Sequence, residues 1–281
     1  MHFSRSGSRR GFGSLAPRSR EPDNPPVLLV VDVGNTQTHF GTVVDGELLE
    51  RWRFATVRGS TSDELGAALR NLLALRGLDL SQIDASIVSS TVPELGPEWS
   101  QMARRYLGHE MIVVGPGVKT GIAIRTDNPR EVGADRLVNA VAAYARYGGA
   151  CIVVDFGTAI TYDVVSAEGE YLGGIISPGM EISLEALWAR AAKLPEVELG
   201  EPRSLIGKTT ADAVRSGIVY GFAAQVDGIV GRLRAELGGE APAIATGGLA
   251  HHIVPSFTES ISEVDDVLTL TGLQLVWERN R

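Results

Sequence analysis

The sequence contains very little cysteine or lysine and no long apolar run. Its 281 residues include a single cysteine, Cys151, which excludes an internal disulfide framework and suits a reducing cytoplasm. Only three of its 26 basic residues are lysines, which we attribute to codon usage rather than to function. No uninterrupted apolar stretch approaches the roughly 18 residues of a membrane-spanning helix, so no membrane segment is predicted.

Positive charge is also in deficit. The formal net charge is -8 at pH 7, whereas proteins that bind nucleic acid usually carry a basic surface, so nucleic acid is not an expected partner. The five histidines do not have the spacing of a metal site. With 44% hydrophobic and 21% charged residues, the chain has the composition of a soluble globular protein with a buried core.

The first 25 residues differ from the rest of the chain. They carry five arginines against Glu21 and Asp23 and show no apolar periodicity. This composition favours a disordered basic tail, or a start codon assigned too far upstream, over an arginine-rich transit peptide. A signal peptide is disfavoured because no apolar stretch follows the arginines. We therefore divide the chain into a tail, 1–25, and two globular halves, 26–149 and 150–281.

An apolar strand that ends in Asp-x-Gly and a threonine occurs twice. The first copy leads into Asp32 and Thr36, and the second, 123 residues later, leads into Asp155 and Thr158. Each copy is followed by a hairpin signal, such as Asp45-Gly46, and then by alternating helical and strand patterns. We interpret this as an internal duplication of a β-β-β-α-β-α-β unit around a cleft.

The repeated loop has the composition of a phosphate site. A glycine after a strand lets the backbone approach a ligand, and consecutive backbone N–H groups there can bind an anion. A carboxylate at the strand end would repel a bare phosphate, so a cation such as Mg²⁺ is expected between them. Two facing loops would hold a polyphosphate from both sides; the alternative is a pair of ordinary hairpin entries.

Five separated blocks make the sequence similar to a known family. The most specific is Thr-Asp-Asn-Pro-Arg-Glu-Val-Gly-Ala-Asp-Arg at 126–136; the others lie at 32–36, 155–163, 173–179 and 207–210. In content and order they resemble the type III pantothenate kinases of the acetate and sugar kinase–Hsp70–actin superfamily. The resemblance implies a duplicated ribonuclease H-like (actin-like ATPase) fold and a cytoplasmic, homodimeric enzyme. That enzyme would phosphorylate pantothenate with ATP, the first step of coenzyme A biosynthesis.

The resemblance also implies roles for individual residues. Asp135 would be the general base, and Arg136 would bind the substrate carboxylate. The substrate would be bound by Gly133, Ala134, Asp135, Arg136 and Thr210. ATP would be bound by Asp32, Val33, Gly34, Asn35, Thr36, Gln37, Thr38, His39 and Thr158. Asp155 would coordinate a monovalent cation, K⁺ or NH₄⁺, and Mg²⁺ would accompany the ATP phosphates.

The residues leave other interpretations open at the substrate motif. Asp135 could cap a helix that begins at Arg136, either instead of or in addition to acting as a base. Arg136 could form a surface ion pair with Asp127 or Glu131. Many family members carry a tyrosine directly before Asp-Asn-Pro, whereas this chain has Thr126.

Two other functions compete with the kinase. Some family members are described as Bvg accessory factor-like transcriptional proteins, so the alternative is a non-catalytic nucleotide-binding accessory factor. The presence of Asp32, Asp135, Arg136, Asp155 and Thr158 together favours the enzyme. A kinase of the same fold acting on a neutral sugar is disfavoured because an arginine at the substrate motif suits a carboxylate.

Overall fold

The computed structural model describes residues 25–191, 194–261 and 263–281, so the expected basic tail lies outside the described residues apart from Pro25. The strands are β1 (Val27–Val33), β2 (Gln37–Val44), β3 (Glu47–Ala55), β4 (Ile83–Ser90), β5 (Ile112–Val113), β6 (Ala123–Ile124), β7 (Cys151–Phe156), β8 (Ala159–Val165), β9 (Glu170–Pro178), β10 (Ala243–Thr246) and β11 (Glu263–Val264). The α-helices are α1 (Ser62–Ala74), α2 (Leu95–Met102), α3 (Ala134–Tyr147), α4 (Met180–Arg190), α5 (Thr210–Leu237), α6 (Ala250–Phe257) and α7 (Leu268–Glu278).

The first sheet has the order β3-β2-β1-β4-β5. Its β2–β3 hairpin turns at Asp45 and Gly46, which both have positive φ, as the sequence signal predicts for a tight hairpin. Helix α1 begins with a capping box in which Thr61 and Glu64 each satisfy the other's backbone N–H. With α1 before β4 and α2 before β5, the predicted β-β-β-α-β-α-β unit is confirmed here.

The second sheet repeats this strand order as β11-β10-β7-β8-β9-β6. Strands β7, β8 and β9 form an antiparallel meander, and β10 and β11 add in parallel beside β7. The second unit differs from the first in two respects. Two helices, α4 and α5, stand between its third and fourth strands, and the short β6 extends the sheet beyond β9. The duplication is therefore confirmed in strand order, with one added helix and one added strand.

Helices α3 and α7 occupy the space between the two sheets. Buried side chains from both helices join the inner faces of β1 and β7 in one apolar cluster, which also contains Cys151, as expected for a small core residue. Gly272 of α7 faces the backbone carbonyl of Val138 in α3 with no room for a Cβ atom. The C-terminal helix α7 therefore packs against strands β1 and β4 of the first half. The boundary between the two halves at residues 149 and 150 stays a prediction.

The topology brings one end of each sheet to a shared cleft. Asp32 at the end of β1 is in register with Ser89 of the parallel neighbour β4, and Asp155 at the end of β7 is in register with Thr246 of β10. The carboxyl ends of adjacent parallel strands are a common location for ligand sites in α/β proteins. In the described part of the chain, no helix combines the length and apolar character needed to traverse a membrane.

Candidate active site

The two repeated loops meet across the cleft. The Thr36 and Thr158 hydroxyls are 3.0 Å apart, within hydrogen-bonding distance, although the residues are 122 positions apart in sequence. Each loop is a tight turn: Gly34 N donates to the Gln37 carbonyl at 3.0 Å, and Gly157 N donates to the Ala159 carbonyl at 3.1 Å. Both threonines are exposed, so a ligand that approaches this edge of the cleft can contact their hydroxyls and the neighbouring backbone.

An aspartate stands behind each loop. Asp32 Oδ1 accepts a hydrogen bond from the Ser89 hydroxyl at 2.7 Å, and Asp155 Oδ2 accepts one from Asn139 Nδ2 at 3.2 Å. Burial raises the pKa of each carboxyl to about 7, and the negative charge of Asp135 contributes to both shifts. For Asp155 the charge of Asp32 adds further to the rise in pKa. The cleft therefore brings three carboxyl groups, Asp32, Asp135 and Asp155, close enough that the charge of one raises the pKa of its neighbours.

Asp135 enters the same cleft from the first turn of α3. The helix begins at Ala134 and its N-cap residue is Gly133, so the interpretation of Asp135 as the N-cap is wrong. Burial raises the pKa of Asp135, while backbone N–H groups of the first turn and the Arg136 charge act in the opposite direction. Its Oδ1 is buried and has no hydrogen-bond partner, which leaves an acceptor free for a ligand hydroxyl.

Arg136 points away from its sequence neighbours. Its Nε donates a 2.8 Å hydrogen bond to Oδ1 of Asp163, so the surface pairing with Asp127 or Glu131 is wrong. Its Nη2 forms an ion pair with the same oxygen at 2.8 Å, outside hydrogen-bond geometry. The Arg136 side chain is 14% exposed, and the Asp163 side chain is completely buried. Because Nη2 makes no hydrogen bond to the described residues, it can donate to a further anionic group beside Asp163.

The other residues predicted to bind ATP at the first loop differ in whether their side chains are buried or lie at the surface. The Val33 side chain is in the core, and the Thr38 hydroxyl is bound to Thr56 at 2.8 Å, so both can offer a ligand only backbone groups. Asn35 accepts from Arg58 Nη2 at 3.1 Å at the cleft surface. The pair Gln37 and His39 lies beyond the turn, with Oε1 and Nε2 3.3 Å apart.

The substrate residues predicted outside α3 are less closely grouped. Thr210 is exposed at the first residue of α5, and no hydrogen bond joins it to Asp135 or Arg136 among the residues described. Thr126, where many family members have tyrosine, has a buried hydroxyl without a partner. Its methyl group lies beside Gly173 of β9, next to the glycine that faces Arg136.

Several polar residues of the cleft were not predicted as site residues. They are Ser89, Asn139, Asp163, Tyr171 and Thr269, which hold the predicted residues in place. Asn139 lies one helical turn after Asp135, on the same face of α3, and this i, i+4 spacing was visible in the sequence. Asp163 ends the block at 155–163, but only the fold shows that it faces Arg136.

The donor set fits a cation that is bound only partly by protein. In residues 25–191, 194–261 and 263–281, no group of three acidic, histidine or cysteine side chains forms a complete metal site. Mg²⁺ bound to nucleotides commonly takes one or two carboxylates, with phosphate and water oxygens completing its shell. Gly247, with φ of +94°, passes so close to the Asp155 carboxylate and Phe156 that a Cβ atom would collide with both. Asp32 and Asp155 are therefore the candidate ligands for a cation in this cleft, with the Asp135 carboxylate close enough to raise the pKa of both.

Comparisons with known proteins decide the family. A family model for type III pantothenate kinase matches residues 28–232. A type III pantothenate kinase of Moorella thermoacetica is 53% identical over 254 residues, which are 90% of this chain and all of that one. The chain belongs to the type III pantothenate kinase family. The expectation of an enzyme, specifically a kinase, is thereby confirmed.

Solved structures support the fold. A Baf family protein from Campylobacter jejuni superposes with a TM-score of 0.56 at 17% identity, covering 90% of this chain and 98% of that one. A ROK hexokinase from Thermus thermophilus gives a TM-score of 0.50 at 14% identity, covering 90% and 99%. At these identities the likeness concerns fold alone, and it confirms the duplicated ribonuclease H-like, actin-like ATPase fold.

Proposed function

We propose that this protein phosphorylates the primary alcohol of pantothenate with ATP, the first step of coenzyme A biosynthesis, and does so in the cytoplasm. The observation that carries the proposal is the convergence, in one cleft of a type III pantothenate kinase family member, of a carboxylate oxygen and a guanidinium nitrogen that are buried and make no hydrogen bond. These are Oδ1 of Asp135 and Nη2 of Arg136. An alcohol that also bears a carboxylate can use both.

The ATP phosphates are assigned to the two facing loops. Backbone N–H groups of the turns and the hydroxyls of Thr36 and Thr158 donate to phosphate oxygens, and they are already oriented before the ligand binds. Asp32 faces the first loop and Asp155 the second. Asp32 would hold Mg²⁺ and Asp155 would hold a monovalent cation, K⁺ or NH₄⁺; the two cations would supply positive charge that balances these carboxylates and the transferring phosphoryl group.

Proton transfer is assigned to Asp135. As the substrate oxygen bonds to the γ-phosphorus, its proton passes to a carboxylate oxygen of Asp135, and the bond to the ADP leaving group breaks. Burial raises the pKa of Asp135 above that of an exposed aspartate, which makes it a stronger base. Arg136 orients the substrate by its carboxylate at the opposite end from the reacting hydroxyl.

A homodimer is proposed on exposed apolar surface. Strand β9 has no second neighbouring strand beyond residue 171 among the described residues, and its Ile176 is 64% exposed. Large apolar side chains of β9, α4 and the loop before α5 are also exposed: Leu172, Ile175, Ile182, Leu187, Trp188, Leu205 and Ile206. Apolar surface of this extent commonly marks a protein interface. Light scattering should show a dimer, and Ile206→Glu with Trp188→Glu should shift it toward monomer.

The test of the function is an assay of ADP formation and of phosphorylated product with pantothenate, Mg²⁺ and K⁺. We expect turnover that requires pantothenate and falls in Asp135→Asn. The matched control is Asp63→Asn, the same chemical change at an exposed carboxylate that pairs with Arg105. Folded protein that binds ATP but transfers no phosphate to pantothenate would contradict the proposal and favour the non-catalytic nucleotide-binding alternative.

A further inference from the structure

Asp163 is a buried carboxylate that the phosphoryl transfer does not use. It lies on β8, its side chain is completely buried, and it accepts hydrogen bonds from three directions. Arg136 Nε and the Tyr171 hydroxyl both donate to Oδ1, at 2.8 and 2.7 Å, and the Thr161 hydroxyl donates to Oδ2 at 3.2 Å. Buried ion pairs commonly stabilise a fold no better than apolar residues of the same volume, so this pair calls for a reason other than stability.

The ion pair uses only one edge of the guanidinium group. Nε and Nη2 both lie 2.8 Å from the same oxygen of Asp163, and no hydrogen bond among the described residues uses the other edge, formed by Nη1 and Nη2. Gly174 makes this orientation possible, because a Cβ atom there would crowd Nη2. Tyr171 supports the guanidinium carbon with its ring, 6.0 Å from the ring centroid. The free edge has the fork geometry that binds a carboxylate through two parallel hydrogen bonds.

We propose that Asp163 is a positioning residue for substrate recognition: anchored by Tyr171, it fixes Arg136 so that its Nη1–Nη2 edge binds the carboxylate of the acceptor substrate. The inference rests on the proposed pantothenate kinase activity. Without Asp163, Arg136 keeps its charge but loses its fixed orientation. The enzyme then loses its preference for a substrate with a carboxylate, while the chemistry at Asp135 and the ATP loops remains.

The test compares two acceptors that differ only at the carboxylate, pantothenate and its neutral primary carboxamide. For the unaltered enzyme we expect kcat/KM to favour pantothenate by about 10- to 100-fold, the range for a hydrogen-bonded charge pair. In Asp163→Asn the preference should fall to a few-fold, mainly through KM for pantothenate, with KM for ATP unchanged. Arg136→Lys should lose the preference in the same way, and the double variant should show little additional loss.

A purely structural role for Asp163 gives a different result, since misfolding or loosening would slow both acceptors equally and keep their ratio. The matched control is Glu170→Gln, which removes an exposed ion pair with Arg125 on the residue preceding Tyr171 and should keep the preference. If Asp163→Asn fails to fold, Tyr171→Phe removes one anchor without touching the ion pair and should lower the preference partially.

Failure of the inference is distinguishable from failure of the proposed function. An unaltered enzyme that phosphorylates neither acceptor refutes the kinase activity toward pantothenate itself. An unaltered enzyme that prefers pantothenate, together with Asp163 and Tyr171 variants that keep that preference, refutes only the positioning role.

Discussion

Replacing Asp155 by asparagine is expected to stabilise the ligand-free protein while abolishing its kinase activity. Burial and three neighbouring carboxylates raise the pKa of Asp155 from 3.8 to about 7 in the folded protein. Between these two values the folded state binds more protons than the unfolded state. The stability of the unaltered protein therefore falls as pH rises, and this loss is complete above the folded pKa. Asparagine keeps an acceptor for Asn139 but carries no charge.

The size of the effect follows from the pKa difference. A shift of roughly three pKa units, at about 1.4 kcal/mol each, corresponds to about 4 kcal/mol of destabilisation at pH 8. At pH 5 the destabilisation is only about 2 kcal/mol, because this pH lies between the unfolded and the folded pKa of Asp155. The advantage of Asp155→Asn should therefore grow by about 2–3 kcal/mol between pH 5 and 8. For a chain of this size that corresponds to a difference in Tm that widens by ~5–10 °C.

The assay is thermal unfolding of both proteins at several pH values in a buffer without nucleotide, divalent cations, K⁺ or NH₄⁺, since a bound cation would offset the carboxylate charge. The control is Asp227→Asn, which weakens hydrogen bonds to the backbone at residues 259 and 260 outside the cleft and should lower Tm. A Tm difference between Asp155→Asn and the unaltered protein that does not change from pH 5 to 8 would refute the reasoning.

Three further predictions test the cleft and the packing. Asp135→Asn should lower kcat by about 10²- to 10⁴-fold with KM for ATP nearly unchanged, because the proton acceptor is lost but the loops are not; steady-state kinetics checks this, and a comparable rise in KM for ATP would contradict it. Thr158→Val removes the hydroxyl that meets Thr36 across the cleft and should weaken ATP binding by about tenfold, as measured by calorimetry; unchanged affinity would place the phosphates elsewhere. Gly272→Ala forces a Cβ atom against the Val138 carbonyl and should destabilise the protein by about 1–3 kcal/mol or more in denaturant unfolding; Gly217→Ala, where a Cβ atom meets nothing, is the control that should not destabilise.

Local signals in the sequence predicted much of the secondary structure for physical reasons that act over a few residues. The Asp45-Gly46 turn depends on two positive φ angles that this dipeptide adopts easily, and the start of α1 depends on reciprocal hydrogen bonds between Thr61 and Glu64. The prediction that α3 begins at Arg136 is wrong because Gly133, two residues before Asp135, takes the N-cap position. Side-chain preference alone favours aspartate at an N-cap, whereas the fold places Asp135 at the second residue of the helix.

The duplicated unit, the two loops with their aspartates, and the family can all be predicted from the sequence, because each is a pattern of residue types at fixed spacing. Which distant residues meet is visible only in the folded chain. Thr36 reaches Thr158, Arg136 pairs with Asp163 rather than with nearby Asp127, and α7 crosses back to pack between the sheets. Such pairings follow from the order of strands and the burial of helix faces, which depend on the whole chain, so no local pattern encodes them.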